Sequence, residues 1–160
     1  MARTKLDVAV EVEGLKPFVK ELKALGDADL SAEFKDANVA VADLIVERAR
    51  ARAAGEGRQA KAAARTLRAV KSKVRAEVVM GGTKAPWVFG AEFGAQRDKP
   101  RARTSGTYRG FNQFKPWRGS GENAGYWLYP TIRASTDDVV DLYGERLDEL
   151  VSKAFPDKGA

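Results

Sequence analysis

Carboxylates and long basic rows are the side chains here that could carry chemistry, because the usual reactive groups are missing. The 160 residues contain no histidine and no cysteine. That removes the commonest general base and metal ligand, together with disulfides, thiolate metal sites and cysteine nucleophiles. Serine–histidine triads and zinc hydrolase sites are thereby excluded. Asp137, Asp138 and Asp141 lie close enough in sequence to bind a metal. Aspartates at a helix start are better explained by the helix dipole, and no second ligand cluster accompanies them. Glu92 is the only charge in the stretch from Ala85 to Gly94 and reads as one solvated acid on a core strand. No catalytic residue, cofactor or metal is expected, and the chain is read as a non-enzyme.

The basic residues are unevenly distributed. Positions 1–47 hold 6 basic and 10 acidic side chains, 48–75 hold 10 and 1, 97–118 hold 7 and 1, and 122–160 hold 4 and 8. Acidic ends therefore flank a basic middle, within a formal net charge of +6. Such asymmetry points to a polyanion or an acidic protein surface as partner, against the plainer reading of a solvated face. In the first basic stretch the candidates to face DNA or a protein neighbour are Arg48, Arg52, Arg58, Lys61, Arg65 and Arg68.

The elements that must position these groups follow from hydrophobic periodicity. Leu6, Val8, Val10 and Val12 alternate with polar or small residues, which predicts a strand over 5–13 ended by Gly14. Leu15, Phe18, Leu22 and Leu25 predict a short helix stopped by Gly26. Phe34, Ala37, Val41, Leu44 and Ile45 predict a long helix over 29–54, capped by Asp27 or Asp29 and terminated by Gly55 and Gly57. For 58–73 the apolar spacing fits a helix, while its alanine-rich basic composition also suits a connector that orders on assembly. Val74 to Met80 alternates as a second strand, 73–80. Pro86 followed by Trp87, Val88, Phe89 and Phe93 predicts a third, 86–93, paired with it as an antiparallel hairpin through Gly81-Gly82-Thr83-Lys84. Gly90 inside that run signals a bulge or the close approach of another element.

From 95 to 125 neither period fits, which predicts a long loop or extended hairpin. It mixes five arginines and two lysines with Tyr108, Phe111, Phe114 and Trp117, residue types that interfaces favour. Arg97, Lys99, Arg101, Arg103, Tyr108, Phe111, Phe114, Trp117 and Arg118 are accordingly the candidate contact residues, with Trp117 as anchor. The competing reading folds these aromatics back onto the core. Tyr126 to Tyr129 predicts a fourth strand, 125–129, and Ile132, Val139, Val140, Tyr143, Leu147 and Leu150 predict a final helix over 130–154, capped by Ser135 or Thr136 if it begins later. The expectation is a single α+β domain over 1–160, an antiparallel sheet of about four strands packed against two long helices. No run approaches 18 apolar residues and the N-terminus leads into charged sequence, so neither a membrane span nor a signal peptide is expected.

Four segments resemble the tail-completion or neck proteins of long-tailed bacteriophages. They are Val12-Glu13-Gly14-Leu15, Arg65-Thr66-Leu67-Arg68, Trp87-Val88-Phe89-Gly90-Ala91-Glu92-Phe93-Gly94 and Trp127-Leu128-Tyr129-Pro130-Thr131. The most specific element is Glu92-Phe93-Gly94, with Trp87 at a position where the family has tyrosine. The resemblance spans most of the chain apart from 95–125. It implies a structural protein of the virion, made in the host cytoplasm, which forms a homomeric ring, most simply a hexamer, at the head–tail junction. Its implied partners are copies of itself, head-closure and tail-terminator or tail-tube proteins, and DNA in the channel contacted without sequence reading. The alternatives are a tail terminator capping the tail tube and a basic nucleic-acid-binding protein whose interleaved aromatics stack on bases.

Overall fold

Between Phe34 and Ala53 apolar residues return every three or four positions, and the chain coils there into its longest helix. In the computed structural model the described residues are 5–10, 31–73, 75–96, 100–103, 106–109 and 113–154, with Pro17 and Lys20. Strand β1 is Lys5–Val10, helix α1 Ser31–Gly55, α2 Arg58–Ala64, β2 Arg68–Val70, β3 Ala76–Gly81 and α3 Val88–Phe93. There follow β4 Pro100–Arg103, β5 Gly106–Arg109, α4 Leu128–Ala134 and α5 Thr136–Ala154. The structure is α+β. Three strands form one sheet in the order β1-β3-β2, and β4 and β5 form a separate antiparallel pair with Arg101 opposite Tyr108 and Arg103 opposite Gly106. Central β3 buries the consecutive residues Val78, Val79 and Met80, as a strand covered on both faces does.

Two of the four expected strands are not strands. Residues 88–93 form a helix because Val88, Ala91 and Glu92 are the buried ones, an i, i+3, i+4 spacing that a strand would split between two faces. The expected 73–80/86–93 hairpin is therefore absent, and β3 pairs with β1 and β2 instead. Residues 125–127 turn, and helix α4 begins at Leu128. The expected 130–154 helix is two helices broken at Ser135, whose carbonyl accepts the Val139 N–H at 2.9 Å. Within 58–73, α2 stops at Ala64 and a short strand follows. The stop is built by Thr66, whose hydroxyl donates to Ala63 O at 2.7 Å, and by Arg50, which donates to Ala64 O at 3.4 Å and Leu67 O at 2.7 Å. These contacts satisfy the end of the helix with side chains. The long loop contains the β4–β5 hairpin. The strand end 11–13 and most of the helix expected from Leu15 to Leu25 lie outside the described residues, although Pro17 and Lys20 are both helical.

The chain divides into two compact units, each assembled from separate segments. One comprises 1–6, 47–67 and 79–134; the other comprises 7–46, 68–78 and 135–160. In the first, α2 packs on α3, and its buried residues include Ala60, Ala63, Leu67, Met80, Val88, Trp127 and Leu128. In the second, Phe34, Val41, Ile45, Val78, Val139, Tyr143 and Leu150 are buried. There the buried Asn38 donates to Ser72 O at 3.0 Å and accepts the Tyr143 hydroxyl at 2.7 Å, so each polar group meets a partner.

Candidate functional site

The feature that singles out the first unit is an ionisable side chain with no access to water. Glu92 is fully buried, and its two carboxylate oxygens accept the N–H groups of Trp127 at 3.3 Å, Leu128 at 3.0 Å and Tyr129 at 3.0 Å. The first N–H groups of a helix have no intrahelical acceptor, and here a carboxylate 36 residues upstream of Leu128 supplies one. Burial pushes the Glu92 carboxyl up from its ordinary range, while the N–H groups of Tyr129, Leu128, Trp127 and Tyr126 push it back down. Gly125 makes the approach possible. Its φ is +81°, and a Cβ there would collide with Glu92 Oε1.

Backbone bonds complete the joint. Phe93 O accepts the Arg118 N–H at 2.6 Å, Glu92 O accepts the Tyr126 N–H at 2.9 Å, and Lys115 O accepts the Ala95 N–H at 2.8 Å. Ala95 and Pro116 form an isolated parallel bridge. Gly94, at φ +75°, lets the chain pass against the Lys115 and Pro116 carbonyls. The Trp127 indole N–H donates to Ala91 O at 3.2 Å. Chemically, both carboxylate oxygens are committed to backbone N–H groups, so Glu92 holds the fold rather than offering a base to a ligand.

Around the joint lies an aromatic surface. Phe93 sits 5.2 Å from the Tyr129 ring and 6.3 Å from Trp117, both tilted. Trp117 is 51% exposed, with its ring lying over Gly119. It borders a cavity of about 550 Å³ lined also by Trp87, Gly90, Gly94 and Phe114. A second cavity of about 320 Å³ shares Gly90 and Phe114 and is lined by Arg58, Lys115 and Tyr126. Lys115 pairs with Glu56 and stands 4.8 Å above the Tyr126 ring, with the Arg118 guanidinium 5.4 Å from the same ring. Compared with protein-family models, curated proteins and solved structures, the chain matches none of them.

Of the expected contact residues, Trp117 and Arg118 are exposed, whereas Phe114 is buried with its ring against Gly90. The second element that Gly90 admits is thus the Phe114 ring. Arg101 and Arg103 lie on β4 and Tyr108 on β5; Arg97, Lys99 and Phe111 lie outside the described residues. Glu92 is not the solvated acid of a strand but a buried helix cap. Trp87 and Phe93 are half-buried. Arg52, Arg58, Lys61 and Arg65 are exposed in the first unit and Arg48 is half-buried there, while Arg68 is exposed at the start of β2 in the second. Asp137, Asp138 and Asp141 are exposed on the first turns of α5. Sequence reasoning missed Gly125, Tyr126 and Arg50. The signal for Gly125 was its place before Tyr-Trp-Leu-Tyr-Pro, where a glycine opens the turn into a helix.

Proposed function

We propose that this protein is a structural component of the head–tail junction of a long-tailed bacteriophage, forming a homomeric ring that completes the tail and joins it to the head. The observation that carries the reading is the use to which Glu92-Phe93-Gly94 is put. This triplet is the most specific part of the resemblance, and all three residues build a joint: the carboxylate caps α4, the ring packs between Tyr129 and Trp117, and the glycine admits the 115–116 backbone. A motif spent on architecture suits a protein whose work is to hold shape between neighbours. The half-exposed Trp117 beside an apolar cavity adds the kind of anchor that interfaces use.

The partners in this reading are copies of the same chain, most simply six, together with head-closure and tail-terminator or tail-tube proteins, and the virion is its location. Deleting the gene from the phage that carries it should leave finished heads and tails unjoined in electron micrographs. Normal virions without the protein refute the proposal. A stable monomer that binds duplex DNA in a salt-sensitive way supports the nucleic-acid reading instead.

A further inference from the structure

Two helical rows of like charge face solvent. On α2 the exposed residues Arg58, Lys61 and Arg65 fall at i, i+3 and i+7, opposite the buried Ala60, Ala63 and Ala64. Arg65 closes the helix with helical backbone angles, φ −66° and ψ −21°, so it continues the row. On α5 the exposed Asp141, Glu145 and Asp148 fall at i, i+4 and i+7, on the side away from the buried Val139, Tyr143 and Leu150. Among the described residues none of these six side chains has an ion-pair partner. Like charges at such spacings repel along a helix, so each row calls for neutralisation from outside.

The spacings match when the helices run antiparallel. With a rise of about 1.5 Å per residue, the cations are separated by about 4.5 and then 6.0 Å, and the carboxylates, read backwards from Asp148, by about 4.5 and then 6.0 Å. Arg58 then stands opposite Asp148, Lys61 opposite Glu145 and Arg65 opposite Asp141. Beside the acidic row, α5 exposes Val140 and Val151, which with Trp117 are the exposed large apolar residues among the described ones. Gly144 between them leaves open space where a side chain would stand. That combination gives an apolar strip with an acidic edge, a surface suited to a basic helix.

We infer that α2 of one copy docks antiparallel on α5 of a second copy, its Arg58–Lys61–Arg65 row against the Asp141–Glu145–Asp148 row. The contact is head-to-tail, because the two surfaces differ, and a head-to-tail contact that closes generates a ring. The inference rests on the ring proposed above and names the interface that would build it. The test uses the full chain and native mass spectrometry with sedimentation velocity at low and high salt. The triple reversals R58E/K61E/R65E and D141K/E145K/D148K should each weaken self-association by more than about a hundredfold, since like charges then face each other. Both should keep the wild-type circular dichroism, because all six side chains are exposed, and should lose no more melting temperature than association itself supplies. Mixing the two reversed variants should restore an oligomer in which they alternate, and a chain carrying all six reversals should assemble alone. An oligomer whose mass ignores both reversals overturns this interface while leaving the ring intact. Failure of the mixture to assemble when each variant is monomeric and folded overturns the pairing. A wild-type chain that stays monomeric at every concentration overturns the interface and the ring together.

Discussion

Glu92→Ala is expected to have a large effect, because it removes the acceptor on which the start of α4 depends. The substitution leaves three N–H groups at the start of α4 without their acceptor, two from bonds of 3.0 Å and one from a bond of 3.3 Å. A hydrogen bond to an ionised group contributes about 1.5–3 kcal/mol, and a buried donor left unmet costs about 1–3 kcal/mol. Against these stands the carboxylate's own desolvation, several kcal/mol per ion, which alanine escapes. The balance gives an expected loss of about 3–5 kcal/mol for Glu92→Ala at pH 7, and about 1–3 kcal/mol for Glu92→Gln, whose amide keeps one acceptor but turns a donor onto an N–H. Total stabilities of about 5–15 kcal/mol make either loss large. Urea unfolding followed by tryptophan fluorescence, which includes the fully buried Trp127, measures it. The pH dependence has a definite sign. A carboxyl whose pKa is raised by burial contributes its full stability below its ordinary value of 4.5 and loses it as pH rises through the raised value. Glutamine does not titrate, so the deficit of Glu92→Gln should shrink as pH climbs through that window. A Glu92→Ala protein that unfolds within about 1 kcal/mol of wild type would mean that α4 does not depend on the carboxylate, and the joint as described would be wrong.

Gly125→Ala should cost more than about 2 kcal/mol, since it places a side chain at positive φ and against Glu92 Oε1; thermal melts check it. Phe114→Ala should cost about 3–5 kcal/mol as a buried aromatic, whereas Trp117→Ala, half-exposed, should cost less than about 1 kcal/mol and, under the proposed function, abolish the joining of heads to tails. A Trp117→Ala chain that unfolds would place that ring in the core. Burial pushes the Tyr143 hydroxyl up from 10 to about 12, so its contribution is complete below pH 10 and is lost between there and about 12, roughly 2–3 kcal/mol in all. Tyr143→Phe should remove that alkaline slope, and ultraviolet titration should find Tyr143 among the late-ionising tyrosines together with Tyr129, whose hydroxyl is also pushed up by burial and by the nearby Glu92.

Periodicity alone reveals the parts of the fold whose side chains face one way. The stripe from Phe34 to Ile45 marks α1, which ends at Gly55 one residue past the expected 54, while its expected start at 29 and the caps Asp27 and Asp29 lie outside the described residues; Val139, Tyr143 and Leu150 mark α5. The aromatic stretch 87–93 misleads because Val88, Phe89 and Phe93 carry strand preference, which is weak against tertiary context. Its helix is decided by a partner that local sequence does not reveal, the N-terminus of α4 some 35 residues on. The same distance hides the role of Glu92. A lone acid among aromatics looks solvated until the three donors that surround it are known. Gly90 was legible as a place of close approach, but not that the Phe114 ring would approach it; Gly94 read only as the end of a strand, and the carbonyls that pass against it were not foreseen.

The closed base of the 95–116 segment has a consequence for how this chain can change over generations. Ala95 and Phe93 are bonded to 115 and 118, and Glu92 to 126–129, so the ends of the segment are fixed by the first unit whatever lies between them. Extending a loop whose ends are already held costs only about 0.6 kcal/mol per doubling of length. Lengthening the chain between residues 96 and 113 therefore carries little loop-closure cost. A lineage could then refit the appendage to new neighbours while Glu92, Gly94 and Gly125 stay as they are.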